Sequence, residues 1–143
     1  MQTANKVARY ILSYCSKRGS PITNLQLQKI LYYVQGKYIF LTGRLLFKDS
    51  FFAWRYGPVV PSVYFEYNRY IADPIEIDED VDLGLTEDVL IEVNKTINEK
   101  LGDPSSKLVS DSHSELPWKE TTKEGKRIGL EISNRLLFQQ FEK

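Results

Sequence analysis

Residues 23–60 read TNLQLQKILYYVQGKYIFLTGRLLFKDSFFAWRYGPVV. The pattern predicts one long amphipathic helix, a glycine turn, a short aromatic strand, and a Gly-Pro step into another helix. Thr23 and Gln26 have the T-x-x-Q spacing of a capping box, in which the threonine oxygen accepts an otherwise unpartnered helix N–H. Leu27, Ile30, Leu31, Val34, Tyr38 and Leu41 recur at three- and four-residue steps, which places them on one face. Gly43 follows where a left-handed residue closes a helix. A second stripe carries Gln28, Tyr32, Gln35 and Ile39. Such side chains pack and hydrogen-bond at once. They suit an interior polar network on a helix covered from two sides, or a recognition face. The run Phe51 to Tyr56 is aromatic and bounded by turn residues, so it reads as a strand. Gly57 is free to take a positive φ, and Pro58 suits the first position of a helix over 58–70.

Upstream, residues 2–18 predict a helix with Val7, Tyr10, Ile11 and Tyr14 on its apolar face, broken at Gly19-Ser20-Pro21. Downstream, Ile75, Ile77 and Val81 alternate with acids, which predicts a second strand paired with 51–56. Thr86 opens a helix through Leu101, and Asp103-Pro104 opens a shorter one to about Ser110. Residues 111–118 read as a loop, and the tail as a helix to Phe141 starting near Ser133 or Asn134. The expected fold is mainly α (α+β): five to six helices around the 23–42 helix, with a small two- or three-stranded antiparallel sheet. No linker or repeat divides residues 1–143, so one domain is expected.

Formal net charge is zero, but its distribution is lopsided. Residues 1–70 hold ten Lys/Arg and two acids; residues 71–143 hold nine Lys/Arg and seventeen acids. Either the halves offset one another across the fold, or a bipolar surface orients a charged partner. The single Cys15 excludes an internal disulfide and fits a reducing, cytoplasmic compartment. No apolar run approaches the roughly 18 residues of a membrane span.

Catalytic chemistry finds little footing. His113 is the one histidine, flanked by Asp111 and Glu115, and no second His or further Cys completes a zinc site. Asp78, Asp80 and Asp82 start like a calcium loop, but Leu83 and Val89 stand where that loop needs Gly and Glu. No phosphate-binding glycine loop is present. The expectation is no enzyme, no metal and no cofactor. Nucleic-acid binding is the competing class, because the basic half also holds 15 of the 18 aromatics. It is not expected, since the Lys and Arg are spread singly. It would gain weight if Lys29, Lys37, Arg44, Arg55 and Arg69 formed one continuous face.

The runs LQLQKILYYVQG, LTGRLLF and FFAWRYGPVVPSVY, followed by SHSELPW at 112–118, resemble the SocA-like antitoxin family. That family is also called the Panacea domain, and formerly the phage-associated GepA family. The resemblance covers roughly residues 3–141. Ser112 stands where a threonine is usual before the histidine. The helix-turn-helix segment that precedes the domain in some relatives is not found within these residues. The resemblance implies the antitoxin half of a bacterial or prophage toxin–antitoxin pair. Its partner would be a cognate toxin, encoded by an adjacent gene and neutralised by direct protein–protein contact without turnover. A protease adaptor and a phage-encoded inhibitor of a host defence protein are the alternatives. The contact surface expected on this reading uses Gln28, Tyr32 and Gln35, the turn Trp54, Tyr56, Gly57, Pro58 and Val59, and His113 with Trp118. For both tryptophans a buried, structural role is the competing reading.

Overall fold

The computed structural model describes residues 1–143. Its organising element is the second helix, α2 (Asn24–Thr42), of which twelve of nineteen residues are buried. Thr23 and Gln26 form both halves of the capping box, and Gly43 closes the helix in the left-handed conformation at φ 70°. Apolar and polar side chains alike are buried around α2, because neighbours cover it on most sides. These are α1 (Ala4–Lys17), α3 (Pro61–Tyr67), α4 (Glu87–Leu101), α5 (Ser105–Ser114) and α7 (Asn134–Phe141), together with a small sheet. Gly36 lets α7 come close: a Cβ there would lie 2.5 Å from the Phe141 ring. One cluster of thirty buried side chains forms the core.

The sheet has three antiparallel strands in the order β2-β1-β3: β1 (Phe52–Trp54), β2 (Gly57–Val59) and β3 (Leu130–Glu131). Here the structure corrects the sequence reading twice. Gly57-Pro58-Val59 does not begin a helix but returns as the second arm of a two-residue hairpin. Pro58 has no N–H to give. It sits on an edge strand opposite Ala53, whose carbonyl accepts from Gly129 N on the other side. The proline that opens α3 is Pro61, three residues later. Residues 75–81 form no strand with 51–56. Ile75 instead makes one isolated antiparallel bridge with Ile22, its N–H 2.8 Å from the Ile22 carbonyl, and both side chains enter the core. The alternation there marks a chain pinned to the core rather than a strand.

The segment read as a short helix and loop after Gly102 is two helices. Helix α5 runs to Ser114, and α6 (Leu116–Thr122) starts one residue later with Pro117 in its first turn. This raises the count to seven α-helices. The tail helix is capped by Ser133. Arg9–Glu79 (3.4 Å) and Lys17–Asp80 (2.6 Å) join the basic and acidic halves, so part of the charge asymmetry is offset within the fold. No helix is long and apolar enough to cross a membrane.

The polar stripe of α2 satisfies loop backbone. Gln35 Nε2 donates to the Phe47 carbonyl at 2.9 Å, and its Oε1 accepts from Leu46 N at 2.7 Å. This one buried side chain thus ties the 43–51 connection to α2. Replacing Gln35→Leu would leave a donor and an acceptor unpaired in the interior. The variant should lose about 2 to 4 kcal/mol in urea unfolding, more than an ordinary core substitution of equal volume.

Candidate partner-binding site

Three side chains hold three carbonyls of the β1–β2 hairpin. Trp118 Nε1 from α6 donates to the Trp54 carbonyl at 2.8 Å. His113 Nε2 from the last turn of α5 donates to the Arg55 carbonyl at 2.9 Å. Lys29 Nζ from α2 donates to the Pro58 carbonyl at 2.7 Å. A carbonyl only accepts, so Nε2 of His113 carries the proton. The imidazole also lies flat on Trp118, with ring centres 3.8 Å apart and planes 24° from parallel.

Gly57 closes the hairpin at φ 112°, a conformation that L side chains rarely adopt. A Cβ there would also lie 2.6 Å from Ser112 Oγ and 2.8 Å from Lys29 Cε. The hairpin therefore fits against α2 and α5 only with glycine at this position.

The junction of α5 and α6 is tied to α2 by Glu115. One carboxylate oxygen accepts from Tyr32 Oη at 2.9 Å, the other from Tyr33 Oη at 3.0 Å. Burial pushes the Glu115 carboxyl above the usual range, while the two phenols pull it back. Burial, reinforced by the facing carboxylate, holds both phenols far above the usual tyrosine value. On the other side of Lys29, Gln28 Oε1 accepts from Val60 N at 3.0 Å, fixing the chain where it leaves the hairpin. Gln28 Nε2 donates to Asn24 Oδ1, and Asn24 Nδ2 donates to the Tyr64 carbonyl.

The residues read from the sequence as a contact surface divide into two groups. Gln28, Tyr32, Gln35, Gly57, Pro58, Val59 and Trp118 are buried. Trp54 and His113 are half-buried, and Tyr56 is exposed. The first group supports the hairpin or the core; the second reaches solvent. Trp54 packs edge-on to Tyr64 at 5.0 Å and against Phe65 at 6.1 Å, so the exposed face of the hairpin continues onto α3.

The sequence reading missed the support roles of Lys29, Asn24, Ser112 and Glu115. A signal for Lys29 was present: it interrupts a run of core-forming residues on a helix with apolar positions all round. Lys29 is fully buried, so it cannot join Lys37, Arg44, Arg55 and Arg69 in one continuous basic face.

Lys29, the β1–β2 hairpin and the SHSELPW segment all lie within the range that the family comparison matches. Residues 27–119 match the family model described as Antitoxin SocA-like, Panacea domain, and the chain belongs to that family. Antitoxin SocA of Caulobacter vibrioides (strain NA1000 / CB15N) is 43% identical over 61 residues. That alignment covers 43% of this chain and 32% of the relative, about a third of the relative's length. No solved structure matches this chain.

Burial alone drives the Lys29 ammonium down to about 7. None of the five ion pairs includes it. An unfolded lysine titrates near 10.4, so between these values the unfolded chain holds the extra proton and stability rises with pH. From pH 7 to 8.5 the unfolding free energy should increase by on the order of 2 kcal/mol, and the increase should vanish in Lys29→Met. Above that window Cys15, raised to about 11 by burial, acts in the opposite direction. Urea titrations of both proteins across this range measure the difference.

Proposed function

We propose that this chain is the antitoxin of a bacterial or prophage toxin–antitoxin pair and neutralises its toxin by direct protein–protein binding, without turnover. Membership of the family supports the antitoxin class, and the relative named Antitoxin SocA agrees with it. The observation that carries the binding reading is the locked turn at Arg55-Tyr56. Both side chains are exposed, and the backbone on each side is fixed by side chains of three helices.

A turn held in this way is ordered before a partner arrives, so less conformational entropy is lost on binding. Trp, Tyr and Arg are the residue types that most often anchor interfaces, and here they are consecutive. Trp54, Tyr56 and the edge of His113 would meet the toxin. Gln28, Tyr32, Gln35, Gly57, Pro58, Val59 and Trp118 would hold that surface in shape from beneath. The cytoplasm is the place of action on this reading, and an adjacent gene is the expected source of the toxin.

Co-induction tests the proposal. Each open reading frame flanking this gene is induced alone and then with this chain. One neighbour should arrest growth, and this chain should restore it. Soluble expression without rescue of any growth-arresting neighbour would overturn the reading.

A further inference from the structure

Beside the hairpin lies a cavity of about 260 Å³ between α2, the turn and α3. Leu25, Trp54, Val59 and Tyr64 contribute its apolar walls, and Tyr56 and Ile71 stand at its rim. Tyr56 is 60% exposed and Ile71 83%. Phe65, packed on Trp54 and 61% exposed, extends the same apolar surface along α3.

Ile71 is the anomaly. Its backbone sits at φ 56°, ψ −109°, and the Asp73 N–H closes back on the Tyr70 carbonyl at 2.9 Å. These are the angles and the hydrogen bond of a type II′ turn with Ile71 at the first central position, where glycine is strongly preferred. A β-branched residue there is strained by on the order of 1–3 kcal/mol. Strain of this kind persists where packing repays it, yet the Ile71 side chain lies almost entirely in water. Within the free chain only backbone hydrogen bonds hold the turn, that of Asp73 and that of Ile71 N to the Asn68 carbonyl at 3.0 Å, and side-chain packing adds little; an apolar group from outside, packed against Ile71 at the cavity rim, would add it.

Charge sets the other half of the recognition. Arg55 lines the cavity, is exposed, and takes part in none of the five ion pairs. No Asp or Glu lines the cavity. The acids gather elsewhere, around α1 at Glu79, Asp80 and Asp82.

We propose that this cavity receives one large apolar side chain from a segment of the partner toxin, gripped between Trp54, Tyr56 and Ile71, with a carboxylate next to it in that segment paired to Arg55. The proposal rests on the antitoxin reading for its occupant and goes beyond it by assigning the chemistry of the bound segment. The toxin's contact segment is thereby an acidic one bearing an exposed aromatic or long aliphatic residue. The aromatic-plus-arginine surface is also the kind on which a single-stranded base stacks, and an apolar patch is also the kind that pairs with itself. Both are outcomes the test separates.

The probe is a random-dodecamer phage-display library selected on the purified full chain. Selected peptides should carry a large apolar residue beside Asp or Glu. Their affinity should fall about tenfold or more with Ile71→Gly and with Arg55→Glu. Neither variant removes a buried contact, and Ile71→Gly relieves the turn, so its melting temperature should equal or exceed that of the parent. Stability held while peptide binding is lost is a result that a merely structural role for Ile71 does not produce. Peptides that bind both variants equally, peptides rich in Lys and Arg, tighter binding of a single-stranded oligonucleotide at this surface, or a dimer that Ile71→Gly dissociates would each overturn the proposal. The same variants in the co-induction assay keep the two readings apart. If the parent and both variants rescue growth equally, the antitoxin reading stands and the cavity assignment falls. If the parent rescues no neighbour while acidic–apolar peptides select this cavity, the antitoxin reading falls and the cavity's ligand chemistry stands.

Discussion

A buried lysine amine is the constraint around which this fold closes. Lys29 stands in the second turn of α2 with no exposed surface, and its one hydrogen bond goes to the Pro58 carbonyl. Removing a lysine from water is costly, and here burial drives its titration down to about 7 rather than a carboxylate holding it charged. An arrangement of this cost does not improve a core. What it provides is position. The Lys29 amine holds the far arm of a hairpin whose near arm is held by Trp118 and whose turn is held by His113. Gly57 is the geometric consequence, since any side chain there would fall on Lys29 and Ser112.

Other buried polar groups follow the same logic. Gln28 and Gln35 each serve backbone of a non-helical segment, one at the exit of the hairpin and the other along the connection after α2. Glu115 receives two phenols from consecutive residues of α2 and so fixes where α5 ends and α6 begins. Side chains from α2 thus do for its irregular neighbours what a sheet ladder would do for a strand. Buried polar groups are expensive unless paired, and these are paired. The cost is recovered as a defined shape for the one part of the surface where Trp54, Arg55 and Tyr56 face outward.

Most of the helical frame was legible in the sequence because its signals are local. Thr23, Gln26 and Gly43 mark the ends of α2, Gly102 ends α4, and Ser133 starts α7. The strands were less legible. A three-residue strand such as β2 has too few positions for a period to show, and the Gly57-Pro58 step equally suits a helix start. The choice is made by tertiary partners, here Lys29 and the α5 helix, which no local pattern reveals. The alternation after Ile75 misled for a related reason: two apolar residues two apart also describe a loop pinned at separate points. The polar stripe of α2 was recognised as either interior or surface. Deciding between these needed the neighbours, because a glutamine that caps loop backbone and one that meets a partner look alike in sequence. Ile71 carried no sequence signal at all, since its strain exists only in the folded turn.

The central claim is that the Arg55-Tyr56 turn is rigid in the free protein because α2, α5 and α6 hold its carbonyls. Backbone 15N relaxation of the free chain tests this directly. Order parameters at residues 54–58 should match those of α2, at about 0.85. In His113→Ala they should fall at the turn while α2 and α4 keep theirs. Order parameters below about 0.6 at Arg55 and Tyr56 in the unmodified chain would contradict the account, because the turn would then be mobile despite its three partners.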